Sequence, residues 1–257
     1  MLELIDINKL YNPGTVNELC LFQNFNLTIK DKEFVSVVGS NGSGKTSLLN
    51  IICGSIGCDS GTIVVRDVDI TKQKDYKRHQ KIGRVFQNPA KGTCPAMTIL
   101  ENMSIADNKG KRFNLTRGAN KAKRNDYKEI LRSVNLGLED KMETKVGALS
   151  GGQRQTLALL MATMTPIEFL ILDEHTAALD PKTAEIVMEL TNKIITEKKV
   201  TAIMVTHNLR YAIDYGTRLI MMHQGEVIID KADEQKKQVN VEEILRTFNE
   251  ISIECGN

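Results

Sequence analysis

Two hydrophobic patterns divide this chain. Near its start apolar and polar positions alternate, so Leu2-Glu3-Leu4-Ile5-Asp6-Ile7-Asn8 and Phe25-Asn26-Leu27-Thr28-Ile29 read as strands with one buried face. The turn signal Asn12-Pro13-Gly14 lies between them. Gly61 to Val65 and Val68 to Ile70 form a hairpin pattern that completes a small antiparallel sheet. Elsewhere the runs are mainly apolar: Phe34 to Val38 around Ser36, Val200 to Val205 around Thr201, a shorter one at Ile82 to Phe86 around Arg84, and Phe169 to Leu172 without interruption. The uninterrupted run fits a central parallel strand covered on both faces. Arg218 to Met222 and Glu226 to Ile229 flank Gln224-Gly225 as a last hairpin.

Helices fall between these strands. The first runs from Ser47 to Ile52. The next covers Met97 to Ala106, with Thr98 as N-cap and Glu101 closing a capping box. Others are expected near Asp126 to Val134, from Arg154 to Met164, after Asp180-Pro181 with Asp180 as N-cap, and over Val241 to Phe248. The result is an α/β domain in which a small antiparallel sheet leans on a mostly parallel core.

Polar residues then mark the carboxyl ends of the buried strands, where open α/β sheets bind ligands. Phe34 to Val38 runs into Gly39-Ser40-Asn41-Gly42-Ser43-Gly44-Lys45-Thr46-Ser47 and then a helix. This is a phosphate-binding loop. Its glycines let backbone N–H groups turn inward, Lys45 reaches the β- and γ-phosphates, and the Thr46 hydroxyl ligates Mg²⁺. A second anion-binding helix start is Ser150-Gly151-Gly152-Gln153, where Ser150 is the N-cap. Glycine weakens a helical turn by about 1 kcal/mol, so the pair implies a ligand in close approach. Phe169 to Leu172 ends in Asp173, placed to support Mg²⁺ with Thr46, and Glu174, placed to polarise an attacking water. Gln87, after the Ile82 run, touches a bound metal or that water, or is a turn residue. His207, after the Val200 run, contacts the γ-phosphate. Tyr11 either stacks on an adenine ring or packs on the small sheet.

Composition narrows the classes. The 257 residues suffice for a sizeable core, and a net charge of +2 gives no global reason to expect nucleic acid. The basic run from Lys109 to Lys128 lacks interleaved aromatics and reads as a solvated face. The five cysteines sit at unrelated spacings, which argues against disulfides and zinc. With no basic-then-apolar leader and no apolar stretch of about 18 residues, the expectation is a cytoplasmic protein that leaves membrane crossing to another chain.

Gly39 to Thr46, Gln87, Leu149 to Gln153, Phe169 to Glu174, Ala177 to Asp180 and His207, in that order, resemble the Walker A, Q-loop, signature, Walker B, D-loop and switch-histidine motifs of the ATP-binding cassette subunits of ABC transporters. The resemblance implies a P-loop NTPase core of RecA-like type with an antiparallel β subdomain and an α-helical signature subdomain. It implies one domain over 1–257: β subdomain and core to about 90, helical subdomain about 91–163, core again about 164–230, and a closing helix about 240–250. ATP with Mg²⁺ is then the substrate and Tyr11 the adenine-stacking aromatic. Two copies pair head to tail, with Ser150 and Gly152 of one at the γ-phosphate held by Lys45 of the other, and Asp180 at the same interface. The resemblance also implies a permease docked on Asn88 to Thr98 and an external solute-binding protein in the same system. The sequence departs from the family at His175, where proline is usual, and at Ala177, where serine is usual; His175 is expected in an inert surface turn, with pH sensitivity of turnover as the other reading. Asp173-Glu174-His175-Thr176-Ala177-Ala178-Leu179-Asp180 and Gly92-Thr93 are similar to ATPases of tryptophan or tyrosine import; an exporter of lipoprotein-releasing or macrolide type and a soluble ABC ATPase are the alternatives.

Overall fold

The computed structural model describes residues 1–111 and 118–254, with side chains given to 250. In chain order the elements are β1 (Leu2–Tyr11), β2 (Leu19–Ile29), β3 (Phe34–Gly39), α1 (Lys45–Cys53), β4 (Ser60–Val65), β5 (Val68–Asp69), α2 (Asp75–Arg78), β6 (Ile82–Val85), α3 (Ile99–Asp107), α4 (Arg124–Arg132) and α5 (Gly151–Thr163). They continue with β7 (Phe169–Asp173), α6 (Pro181–Lys198), β8 (Thr201–Val205), α7 (Leu209–Asp214), β9 (Arg218–His223), β10 (Glu226–Ala232), α8 (Asp233–Lys237) and α9 (Val241–Glu254). These residues form two compact units: Met1–His79 with Lys199–Asn257, and Gln80–Lys198.

In the first unit β2, β1, β4 and β5 make an antiparallel sheet in that order. Its first strand does not keep the strict alternation that its sequence implies. Asp6 turns to φ +50° and the register with β2 shifts between Leu4 and Ile7, so Ile7 returns to the buried face of Leu2 and Leu4 while Ile5 is left exposed. Beside this sheet β3 lies between β8 and β9, parallel to both, and β10 closes antiparallel on β9. Every residue of β3 is buried, including Ser36, whose hydroxyl donates to the Tyr215 carbonyl at 3.0 Å. Val38 joins Ala212, Leu219, Met221, Val239 and Ile244 in a cluster that seats α7 and α9 on the sheet.

The far end of α1 is closed by a side chain from α2. The buried Arg78 guanidinium donates to the Ile51 and Ile52 carbonyls at 2.8 and 3.1 Å, and to Thr71 and Gln73. It thereby satisfies the carbonyls that a helix leaves open at its C-terminus. Burial lowers its pKa below the usual guanidinium value.

In the second unit β6 and β7 pair in parallel, from Ile82 opposite Phe169 to Val85 opposite Leu172, with α5 against β6. The Thr98–Glu101 capping box forms as expected at the start of α3. The basic run is not a bare solvated face where it is described. Lys109 is half-buried and donates to the Ile82 carbonyl at 2.9 Å, burial pushing its pKa down to about 8. Lys111 and Lys123 pair with Asp107, and Arg124 with Glu143. Arg112 and Arg117, like Cys255, lie outside the described residues. Among the described residues the cysteines are free, no group of three or more His, Cys, Asp or Glu could hold a metal ion, and no helix is long and apolar enough to cross a membrane.

Candidate active site

The first unit carries the phosphate loop. β3 ends at Gly39, and the chain turns through Ser40 to Ser43 before α1 starts at Lys45. The N-cap of α1 is Gly44, at φ +99°, a region that side chains other than glycine's rarely enter. It brings no side-chain acceptor, and the first turn has no acidic residue. A helix start left uncapped by its own sequence fits an anion there. Lys45 is buried at 5% exposure, its ammonium donating to the Gly39 and Ser40 carbonyls at 2.8 Å each. The exposed Thr46 hydroxyl opens the helix, and Ser47 accepts a 3.2 Å hydrogen bond from the Tyr11 hydroxyl. Tyr11 is thus tied to the loop's own helix, with Lys9 Nζ 5.4 Å from its ring centroid.

His207 follows β8, which pairs with β3 through Val205 opposite Val37, and so reaches the same end of the sheet as the loop. Gly39, Ser40, Asn41, Thr206 and His207 line one side of a cavity of about 270 Å³, with Leu245 and Phe248 of α9 among the residues opposite. A second histidine also reaches the loop, one that sequence reasoning missed. His223 ends β9, and its Nδ1 lies 3.1 Å from the Ser40 hydroxyl oxygen. Two residues on, the Gly225 N–H donates to the Ser43 carbonyl at 3.1 Å. The hairpin legible at Gln224-Gly225 is therefore a brace for the phosphate loop; its use was hidden because 183 positions separate Ser40 from His223.

The second unit holds the carboxylates and the signature segment. The parallel register of β6 and β7 brings Gln87 and Asp173-Glu174 to the same end of that pair. Asp173 accepts a 2.7 Å ion-pair bond from Arg84 Nη2, with side-chain exposures of 14% and 7%. Arg84, which the sequence reading did not single out, also lies 4.7 Å from the Phe86 ring centroid, next to Gln87. Glu174 sits at φ +48°, in the left-handed region that non-glycine residues rarely occupy. The expectation of a surface turn at His175 is overturned: its side chain is 2% exposed and its Nε2 lies 3.1 Å from Thr191 Oγ1 on α6. Burial drives its pKa down to about 4, because a charged imidazole there would lose its hydration.

Ser150 caps α5 in a full capping box: its Oγ accepts from the Gln153 N–H and its own N–H donates to Gln153 Oε1, each at 3.3 Å. The Gln153 side chain is thereby committed within the chain, and its Nε2 also donates to Leu136. Ser150 is exposed, and a hydroxyl that accepts in the box retains its proton to donate. Arg154 gathers the carbonyls of Val146, Gly147 and Leu149, which fixes the approach to this cap. One of the glycines has a packing role that sequence reasoning missed: a Cβ on Gly152 would stand 2.1 Å from Thr183 Cγ2 of α6, so a side chain there would force Thr183 to shift, while Gly151 is exposed. Asp180 caps α6 by accepting from the Thr183 N–H at 3.1 Å, and hydrogen bonds from Thr183 hold its carboxyl below the usual range.

The sequence profile of the ABC transporter family matches residues 22–177. The chain belongs to the ABC transporter family. It is 49% identical over 96% of its length, and 98% of the relative's, to a tyrosine transport ATP-binding protein of Clostridioides difficile. It is 29% identical over 96% of its length, and 99% of the relative's, to a phosphonates import ATP-binding protein, PhnC, of Lactococcus lactis. Among solved structures, a dimeric ATP-binding cassette in a post-hydrolysis state bound to ADP and Pi superposes with a TM-score of 0.75 at 32% identity, covering 90% of this chain and 98% of that one. The chain is thus an ABC ATPase with a P-loop NTPase fold.

Proposed function

We propose that this ABC ATPase powers a membrane importer of a small aromatic amino acid of tyrosine type. The observation that carries this reading is the 49% identity, over nearly the full length of both chains, to a tyrosine transport ATP-binding protein. Import is also the activity in the name of the phosphonate relative.

In this reading Gly39 to Ser47 hold the triphosphate of ATP, Lys45 faces its β- and γ-phosphates and Tyr11 stacks on the adenine. Thr46, Gln87 and Asp173, a hydroxyl, amide and carboxylate set suited to a hard cation, would hold Mg²⁺, which would supply charge neutralisation at the phosphates. Glu174 takes a proton from the water that attacks the γ-phosphorus, while Gln87 and His207 orient water and phosphate. The bond between γ-phosphorus and bridging oxygen breaks, and ADP leaves with that electron pair. A second copy completes the site head to tail. Its Ser150, Gly151, Gly152 and Gln153 segment presents an uncommitted hydroxyl proton and helix-start N–H groups to the γ-phosphate, and its Asp180 segment borders the joint.

The permease docks on Asn88 to Thr98 from the inner face of the membrane, and an external binding protein delivers solute. That segment is stiff enough to pass force. The buried Asn102 amide bonds the Cys94 N–H at 2.7 Å and the Cys94 and Thr98 carbonyls at 3.1 and 2.9 Å. Reconstitution of the chain with its permease in vesicles tests the reading: ATP-dependent tyrosine uptake is expected, competed by tryptophan and phenylalanine. Outward transport, or uptake indifferent to all three, would reject it.

A further inference from the structure

His175 is the motif residue that the assigned functions leave without a task. It follows Glu174, whose backbone is held at φ +48°, and lies within a turn closed by the Ala177 N–H on the Glu174 carbonyl at 3.0 Å. Such a backbone persists only where its surroundings determine it. On one side Asp173 is fixed by the strand pairing of β7 and by Arg84. On the other side the only side chain directly attached is that of His175, and it is buried against α6.

The hydrogen-bond direction follows from Thr191. Its hydroxyl, fully buried, lies 2.7 Å from the Val187 carbonyl one turn back and donates to it. At 3.1 Å from His175 Nε2 that same oxygen must therefore accept, which makes the imidazole an Nε2–H donor. The contact joins the turn after Glu174 to the middle of an 18-residue helix. Proline at this position would stiffen the turn through its ring; a histidine can do so only through an anchor.

We propose that His175 is a positioning residue for Glu174: seated on Thr191, it holds the backbone twist that aims the carboxylate at the attacking water. The inference rests on the reading of Glu174 as the general base and leaves the reaction itself unchanged.

His175→Ala, His175→Gln and Thr191→Val, made in the full chain, test it by steady-state ATPase kinetics, binding of a fluorescent ATP analogue and thermal melting. Thr191→Val keeps the side-chain shape and removes the hydroxyl, both the acceptor for Nε2 and the donor to Val187, so it reports even should His175→Ala fail to fold. Both Ala and Val variants are expected to lose about tenfold in kcat with KM and analogue affinity within about twofold of wild type. Glutamine, whose amide nitrogen reaches the place of Nε2, is expected to restore most of the rate. On a Glu174→Gln background the same changes should leave the residual rate untouched, since nothing remains to be aimed. Wild-type kcat in folded Thr191→Val and His175→Ala, or equal proportional losses on both backgrounds, overturns the inference while leaving Glu174 as base. Wild-type hydrolysis by Glu174→Gln alone removes the base, and the inference with it.

Discussion

Single residues carry the sharpest consequences. Glu174→Gln keeps size and hydrogen bonding but cannot take a proton, and general-base catalysis contributes about 10²- to 10⁴-fold. ATPase assays should show a loss of that order with the fluorescent analogue still bound; retained turnover would contradict the assignment. His223 is expected to act on affinity. Its contact to Ser40 runs through Nδ1, the atom that an asparagine amide replaces and a glutamine amide overshoots. His223→Asn should therefore keep the ATP KM within about twofold, while His223→Gln and His223→Ala raise it about three- to tenfold. Equal KM values for all three would mean that the contact does not shape the loop. His175 has a consequence for folding as well. Its pKa is about 4 when folded and about 6.5 when unfolded. The unfolded chain thus binds the extra proton between those values, and stability, fully present above about 6.5, falls as pH drops toward 4. The slope from this group is about 1.4 kcal/mol per pH unit. Urea titrations at pH 7 and pH 5 should show the loss in wild type and a smaller one in His175→Gln.

At the scale of elements, what the sequence revealed was local. The Thr98–Glu101 box, the Asp180 cap and the Ser150 helix start each depend on residues three apart, and an unbroken apolar run such as Phe169 to Leu172 carries its double burial in itself. Contacts that join distant positions left no local signal. Arg84 meets Asp173 across 89 positions and Arg78 meets Ile51 across 27. Neither is visible in spacing, because an arginine alone reads as surface charge. His175 was misplaced for the same reason, since its burial is decided by α6 and not by its neighbours. Arg78 offers the plainest test of such hidden contacts. Arg78→Met retains apolar bulk but strands the carbonyls at the end of α1, each worth about 1–3 kcal/mol when buried and unsatisfied. A loss of about 2–4 kcal/mol in chemical unfolding is expected. A loss below about 0.5 kcal/mol would show that water caps this helix equally well.

For the molecule as a whole, the proposed reading shares one triphosphate between the phosphate loop of one copy and the Ser150 helix start of another. ATP that binds the paired form stabilises it by mass action, so pairing should depend on nucleotide and outlast it when hydrolysis is blocked. Cysteine pairing across chains measures this directly. With the exposed Cys20 and Cys94 first replaced by serine, Ser40→Cys is made in one chain and Ser150→Cys in another, both on the Glu174→Gln background. Mixed with ATP under mild oxidation, they should give a disulfide-linked heterodimer on non-reducing gels. ADP, or Lys45→Ala in the Ser40→Cys chain, should reduce that band severalfold, because the γ-phosphate assigned to bridge the copies is then absent or has lost its ammonium partner. A band of equal strength with ATP, with ADP and without nucleotide would mean that the copies associate by some other face. No band under any condition would leave the Ser150 hydroxyl without the phosphate assigned to it.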